Sequence, residues 1–202
     1  EEEDEEEVEP WPEEDEEEPE VLFTALTHAR EPLSMMNLIY FVQLLAEEYG
    51  TNPELTYLVN EREIWFLPVV NPDGYVYNES IQPNGGGMHR KNRLNTNCGD
   101  GTNRGVDLNR NYGFGWGANN TGSSPDPCAT TYRGESAFSE PETQVVSDFI
   151  TDREFMNVIH YHTYSNVYIH AYGNATLPDE PDLTTHREIG DEMARYNGYP
   201  VG

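Results

Sequence analysis

The sequence predicts an α/β fold, with a mixed, largely parallel central sheet flanked by helices. Residues 21–26 (VLFTAL) are a short, continuously apolar run, suited to a strand buried on both faces. Residues 34–49 follow with apolar side chains at helical spacing. Residues 64–70 (IWFLPVV) are a second apolar run. Strand, helix and strand at this separation make a βαβ unit, and hence parallel pairing.

Each element has its own signal. Ser34 is the expected cap of the first helix. Met35, Leu38, Ile39, Val42 and Leu45 form its apolar face, and Gly50 is its stop. Asn71-Pro72-Asp73-Gly74 reads as a turn closing the second strand. Residues 71–138 show little regular pattern, and stretches that long are usually functional or disordered. They hold six of the eleven basic residues, Arg90, Lys91, Arg93, Arg104, Arg110 and Arg133, a concentration that suggests an anion-binding surface. Ser139-Glu140-Pro141-Glu142 has the form of a capping box. It would open a helix with Val145, Val146, Phe149 and Ile150 on one face. Residues 157–161 read as a strand, 167–170 as a further one, and 182–196 as a final helix carrying Ile189, Met193 and Tyr196.

Charge divides the chain. Residues 1–20 hold 15 of the 38 acidic residues and no basic ones, which with the prolines predicts a disordered acidic segment ahead of a domain at 21–202. The remainder still carries 11 basic against 23 acidic residues. That balance disfavours nucleic acid, whose phosphates require clustered Lys and Arg, and anionic membrane surfaces. No apolar run approaches the roughly 18 residues of a spanning helix. The sequence starts at Glu1 without an apolar signal segment, so both ends are expected to be cuts. Cys98 and Cys128 sit in loop-like surroundings. Sequons occur at Asn78, Asn119 and Asn174. Together these point to an extracellular setting.

The chemistry centres on His28-Ala29-Arg30-Glu31, at the expected strand-to-helix junction, where sites of α/β proteins lie. A histidine and a glutamate three apart can share a metal. A catalytic zinc takes three protein ligands and leaves a fourth position open. His160, His162 and His170 lie around the end of a later strand and could supply the third ligand. His160 and His162 would share a strand face, so spacing alone does not choose between them. Two imidazoles and one carboxylate suit zinc by ligand type.

Six segments, THARE (27–31), WFLPVVNPDGY (65–75), HRKNR (89–93), GVDLNRNY (105–112), TYRGESAFSEPE (131–142) and HTYSNVYIHAYG (162–173), resemble the zinc carboxypeptidases of the pancreatic A/B type. They occur in the family's order and cover about residues 21–202. The resemblance implies a zinc-dependent exopeptidase that removes single C-terminal residues from peptides and proteins. It implies zinc ligands at His28, Glu31 and His162, His162 being favoured by the Thr163-Tyr164-Ser165 that follows it. His89, His170 and His186 are then ordinary polar residues. Asn109 and Arg110 would grip the substrate's C-terminal carboxylate, to which a guanidinium presents a planar fork. Arg90 would stabilise the oxyanion. Arg30 and Tyr164 would contact the substrate further upstream. Cys98 and Cys128 would form the family's disulfide.

The family's general-base glutamate and the floor of its specificity pocket fall after the last matched segment, so neither is expected in this chain. Alone, the 202-residue chain is expected to be inactive and poorly stable. The expected whole is an extracellular, monomeric enzyme. The alternative is a catalytically inactive relative that binds peptide C-termini. An acidic interaction protein would leave the six segments unexplained.

Overall fold

The computed structural model describes residues 18–173 and 176–202. Most of the acidic segment, residues 1–17, and the sequon at Asn174 lie outside them. The described residues group into two compact units, the first ending at His162 and the second being Thr163–Gly202.

The first unit holds a parallel sheet of β1 (Glu20–Thr24), β2 (Glu63–Leu67) and β3 (Asn157–His160), in the order β2-β1-β3. The α/β expectation and the parallel pairing are therefore met. β1 is central: Leu22 and Thr24 are buried, and Phe23 stacks on its register partner Phe66 at 5.5 Å, with Phe41 edge-on at 5.4 Å. Glu20, assigned from sequence to the disordered run, begins this strand. Its carboxylate and that of Glu63 both hold Arg153, at 2.6 and 3.2 Å.

Between β1 and β2 lie α1 (Pro32–Glu48) and α2 (Pro53–Glu61). α1 starts two residues ahead of the expected Ser34. Ser34 is a buried helical residue whose hydroxyl donates to Glu31 O and accepts from Leu26 N–H. Leu38 and Leu45 are buried as expected, but Ile39 and Val42 are exposed. α2 was not foreseen, although Asn52 caps it by accepting from Glu54 and Leu55 N–H, with Pro53 in the first turn.

Asn71-Pro72-Asp73-Gly74 is a helix start rather than a turn. Asn71 caps α3 (Pro72–Ile81), accepting from Gly74 N–H at 3.0 Å. An Asn cap with Pro at the first helical position is a signature that turns share. The fully buried Asn71 also donates to Thr27 O and Lys91 O, tying the α3 start to two loops. Gly74 lies at their meeting point. A Cβ there would stand 2.7 Å from Ala29 Cβ, Asn71 Oδ1 and Lys91 O.

Of the six basic residues in the long loop, Lys91 and Arg133 are buried and Arg90, Arg93, Arg104 and Arg110 half-buried. Lys91, the chain's single lysine, is fully buried and donates to Asn103 O, Pro127 O and Ala129 O at 2.5, 3.3 and 2.9 Å. Burial pulls its pKa down to about 8, against the charges of Asp107 and Asp126 that hold it up. Arg133 donates to Asn119 O, Asn120 Oδ1 and Ser123 Oγ. Arg93 and Arg104 likewise bind loop carbonyls. Cys98 and Cys128 are joined by a disulfide that closes this region.

α4 (Pro141–Thr151) begins as expected, but Glu140 is its cap position and no side chain caps it. Ser139 instead donates to Glu140, whose carboxylate accepts from Asn92. Val146 is buried and Val145 exposed. Val146 packs with Val70 and Leu108 in a core bordered by Leu67, Tyr112 and Ile150. This core seats the short 3₁₀ turn Leu108–Arg110. In the second unit, α5 (Asp182–Ala194) forms, while the strand expected at 167–170 is only a bridge from Tyr168 to Val201.

Gly74→Ala would ordinarily gain about 1 kcal/mol in a helix. Here overpacking, worth about 1–3 kcal/mol, outweighs that gain. The variant of the full-length protein is expected to melt several degrees lower in a thermal scan.

His89 is fully buried, with its Nε2 bonded to Asn92 O at 2.9 Å and Tyr77 edge-on to the ring. Burial, with the neighbouring Arg93 and Lys91 charges, lowers its pKa below the ordinary 6.5 against the bonds to Asn92 and Thr102. As pH falls through 6.5 the unfolded chain takes up the proton first, so folded stability falls. In the full-length protein, His89→Gln is expected to flatten the decline in denaturation midpoint just below pH 6.5. An unchanged slope would refute the assignment.

Candidate metal centre

Both walls of the centre are strand ends. Beyond β1 the pairing continues, with Ala25 N–H donating to Leu67 O and Val70 N–H to Ala25 O. The chain then turns at Leu26, which has φ 53°, and brings the buried His28 to the carboxyl edge. Tyr161 N–H donates to Thr24 O, which extends β3 beside β1 and carries His162 to the same edge. Glu31 precedes α1 and is fixed locally by Glu31 N–H to His28 O.

His28, Glu31 and His162 meet there. His28 Nδ1 lies 2.9 Å from Glu31 Oε1 and 3.1 Å from His162 Nδ1, and His162 Nδ1 is 3.0 Å from Glu31 Oε2. The three donor atoms lie within 4.8 Å of one another. His28 and Glu31 are buried, and the His162 side chain is 32% exposed. His160, the alternative left open by spacing, points elsewhere, its Nδ1 2.6 Å from Thr24 Oγ1. His89, on the far side of Arg90 in sequence, bonds to the main chain, and His170 and His186 stack on each other in the second unit.

A residue to which the sequence reading gave no role organises this centre. Asp107, fully buried, accepts from His28 Nε2 at 3.1 Å and from Asn109 N–H at 3.1 Å through Oδ1. Its Oδ2 accepts from Arg90 Nε and Nη2 at 3.0 and 2.9 Å. Burial pushes this carboxyl up, but the His28 hydrogen bond and the Arg90 charge outweigh it and hold it below its ordinary range. The signal was present: a ligating histidine commonly donates its second nitrogen to a carboxylate. Asp107 was the carboxylate within the quoted GVDLNRNY segment.

The donor set fits a cation. With Nε2–H spent on Asp107, His28 Nδ1 presents a bare lone pair to a carboxylate oxygen and a second imidazole. Two imidazole nitrogens and a carboxylate are a donor set of the type zinc takes. Donors about 2.0–2.1 Å from a tetrahedral centre stand about 3.3 Å apart, close to the spacings here.

Arg90 lies against this set, its Nη1 3.2 Å from His28 Nδ1 and 3.8 Å from Glu31 Oε1. Arg110 does not contact the donors. Its Nε donates to Gly122 O at 2.6 Å and its Nη1 to Asn109 O at 2.9 Å. Its charge still acts on Asp107. Asn109 is exposed and Arg110 half-buried. Arg30 is half-buried beside Glu31, and Tyr164 is exposed in the second unit.

A family model, that of the zinc carboxypeptidases (peptidase M14), matches residues 3–200. The chain belongs to this family. Human mast cell carboxypeptidase A is 35% identical over 173 residues, covering 82% of this chain and 39% of that protein. An inactive metallocarboxypeptidase, ecm14, of Sclerotinia sclerotiorum is 31% identical over 177 residues, covering 83% of this chain and 28% of that protein. The crystal structure of carboxypeptidase A from Helicoverpa armigera superposes with a TM-score of 0.76 at 33% identity, covering 94% of this chain and 46% of that one. The chain thus spans less than half the length of each of these zinc carboxypeptidase relatives.

Removing the Asp107 carboxylate should leave His28 unoriented. Asp107→Ala in the full-length protein is expected to weaken zinc binding roughly 10- to 100-fold, measured by competition with a chromophoric chelator.

Proposed function

We propose that this chain supplies the zinc site and carboxylate clamp of a metallocarboxypeptidase that hydrolyses the C-terminal peptide bond of peptides and proteins. The observation that carries the reading is the convergence of His28 Nδ1, His162 Nδ1 and the Glu31 carboxylate within 4.8 Å. Those three residues would hold one Zn²⁺, which when bound polarises the scissile carbonyl and lowers the pKa of a water to about 7.

The chain's own residues do the rest. Asp107 fixes the Nε2–H of His28 and one edge of the Arg90 guanidinium with a single carboxylate. The remaining Nη1 faces the donor set, where it would stabilise negative charge developing on the substrate's carbonyl oxygen. Asn109 and Arg110, on the 3₁₀ turn that follows Asp107, would take the substrate's terminal carboxylate. For that, Arg110 exchanges its bonds to Gly122 O and Asn109 O for a bidentate pair. Arg30 and Tyr164 would serve residues further upstream. Among the described residues, the carboxylates recorded at the centre are Glu31 and Asp107, both engaged by its histidines. The group that shuttles protons to the leaving amine is therefore assigned to the part of the relatives that this chain does not span.

The disulfide between Cys98 and Cys128 supports an extracellular location. Among the described residues no helix is long and apolar enough to cross a membrane. We assign the acidic residues 1–20 to no part of the catalytic machinery, and the domain that carries it to residues 21–202.

One observation favours a second reading: a relative of similar identity bears the name inactive metallocarboxypeptidase. In that case the same clamp would bind peptide C-termini without cutting.

The full-length protein decides between them. Release of the last residue from a peptide with a free carboxylate, absent from its C-terminal amide and abolished by chelation and by Glu31→Gln, is the expected result. Arg110→Ala should lower kcat/KM by about 3 kcal/mol, roughly a hundredfold. Zinc-bound protein that binds such peptides without turnover would establish the second reading. Failure to retain zinc would overturn both.

A further inference from the structure

Two of the three sequons lie among the described residues, and their surroundings are opposite. Asn78 sits on α3 and is buried, with its Nδ2–H donating to His89 O and its Oδ1 accepting from His89 N–H, both at 2.9 Å. Gly87 presses on it so closely that a Cβ there would stand 2.5 Å from Asn78 Oδ1. No space remains for a sugar on that nitrogen while α3 and the segment at 87–89 are in place. A glycan attached there before folding would displace His89 and with it the loop that leads to Arg90.

Asn119 lies in an exposed run, residues 118–122. Its Oδ1 accepts from Thr121 N–H at 2.7 Å, so the side-chain amide is turned along its own sequon. Its main-chain carbonyl accepts from Arg133 Nη1 at 3.1 Å, which anchors the loop from beneath. Arg133 also binds Asn120 Oδ1 and Ser123 Oγ and lies under Trp116, its guanidinium 5.4 Å from the ring. The loop is thus held from its inner side, and its outer side carries the Asn-Asn-Thr motif into solvent.

We propose that Asn119 carries an N-linked glycan and that Asn78, despite the same motif, does not. This rests on the extracellular location proposed above and is independent of the metal site. The donor is a lipid-pyrophosphate-linked oligosaccharide. Asn119 Nδ2 bonds to the anomeric carbon of the first sugar and loses one proton. The bond from that carbon to the pyrophosphate oxygen breaks, and the lipid pyrophosphate leaves with the electron pair.

The test is site occupancy in the full-length protein, expressed in a eukaryotic cell behind a cleavable signal peptide. Peptide-N-glycosidase release in ¹⁸O-water, read by peptide mass spectrometry, is expected to give labelled aspartate at position 119 and unaltered asparagine at 78. Thr121→Ala should remove one glycan on a gel, and Ser80→Ala should remove none. An unlabelled 119 in the folded, secreted protein would overturn the proposal, as would label at 78. Occupancy is read without any activity assay, so its failure is distinguishable from failure of the enzymatic reading.

Discussion

One buried carboxylate holds the centre together. Asp107 accepts from an imidazole on one oxygen and from a guanidinium on the other, and also takes the main-chain N–H of Asn109. A carboxylate removed from water is costly unless its lone pairs are filled by charged or strongly polar donors. Here they are filled by the groups that the proposed function needs oriented. The carboxylate's own desolvation is thus offset by the contacts that fix His28 and Arg90, and the 3₁₀ turn starts from the same residue. The small core of Val70, Leu108 and Val146 seats that turn from below.

The loops around this carboxylate have little regular structure, so their main-chain carbonyls need partners from side chains. Buried amides and cations supply them. Asn71 spans Thr27 and Lys91, Asn92 binds Val106 N–H and the Glu140 carboxylate, and Asn111 reaches Arg133 O, Ser136 O and Ser139 Oγ. Lys91 gathers two carbonyls from the region closed by the disulfide and that of Ala129 just beyond it. Each bond is worth about 1 kcal/mol net, but leaving such a group unpaired and buried costs more, about 1–3 kcal/mol. The loop is therefore braced by polar contacts that hydrophobic patterning does not reveal.

That difference explains what the sequence made legible. Strands and helices announce themselves by period, and β1, α1, β2, α4, β3 and α5 were all placed within a few residues. The two helices that were missed, α2 and α3, both open with Asn-Pro, and there a cap and a turn look alike. His28 and Glu31 stood out at the strand-to-helix junction, but His162 was preferred only through resemblance, since His160 had an equal claim by spacing. The structure separates the two because β3 pairs in register with β1, placing His160 beside Thr24 and His162 past the strand end. Asp107 went without a role because a carboxylate's partners are set by tertiary contacts, and it lies 79 residues from His28.

The charge pattern follows the same logic. Eleven basic residues face thirty-eight acidic ones, so on the proposed function a cation meant for substrate must escape neutralisation. Arg93, Arg133 and Lys91 are committed to loop carbonyls, Arg104 to loop carbonyls and the Asp100 carboxylate, and Arg153 to Glu20 and Glu63. Arg90 is held by Asp107 through one edge only, which leaves Nη1 toward the donors. Among the described residues Arg110 is held by two neutral carbonyls and no carboxylate, bonds that on the proposed function a substrate's anionic terminus outcompetes, since charge-assisted hydrogen bonds are about twice as strong as neutral ones.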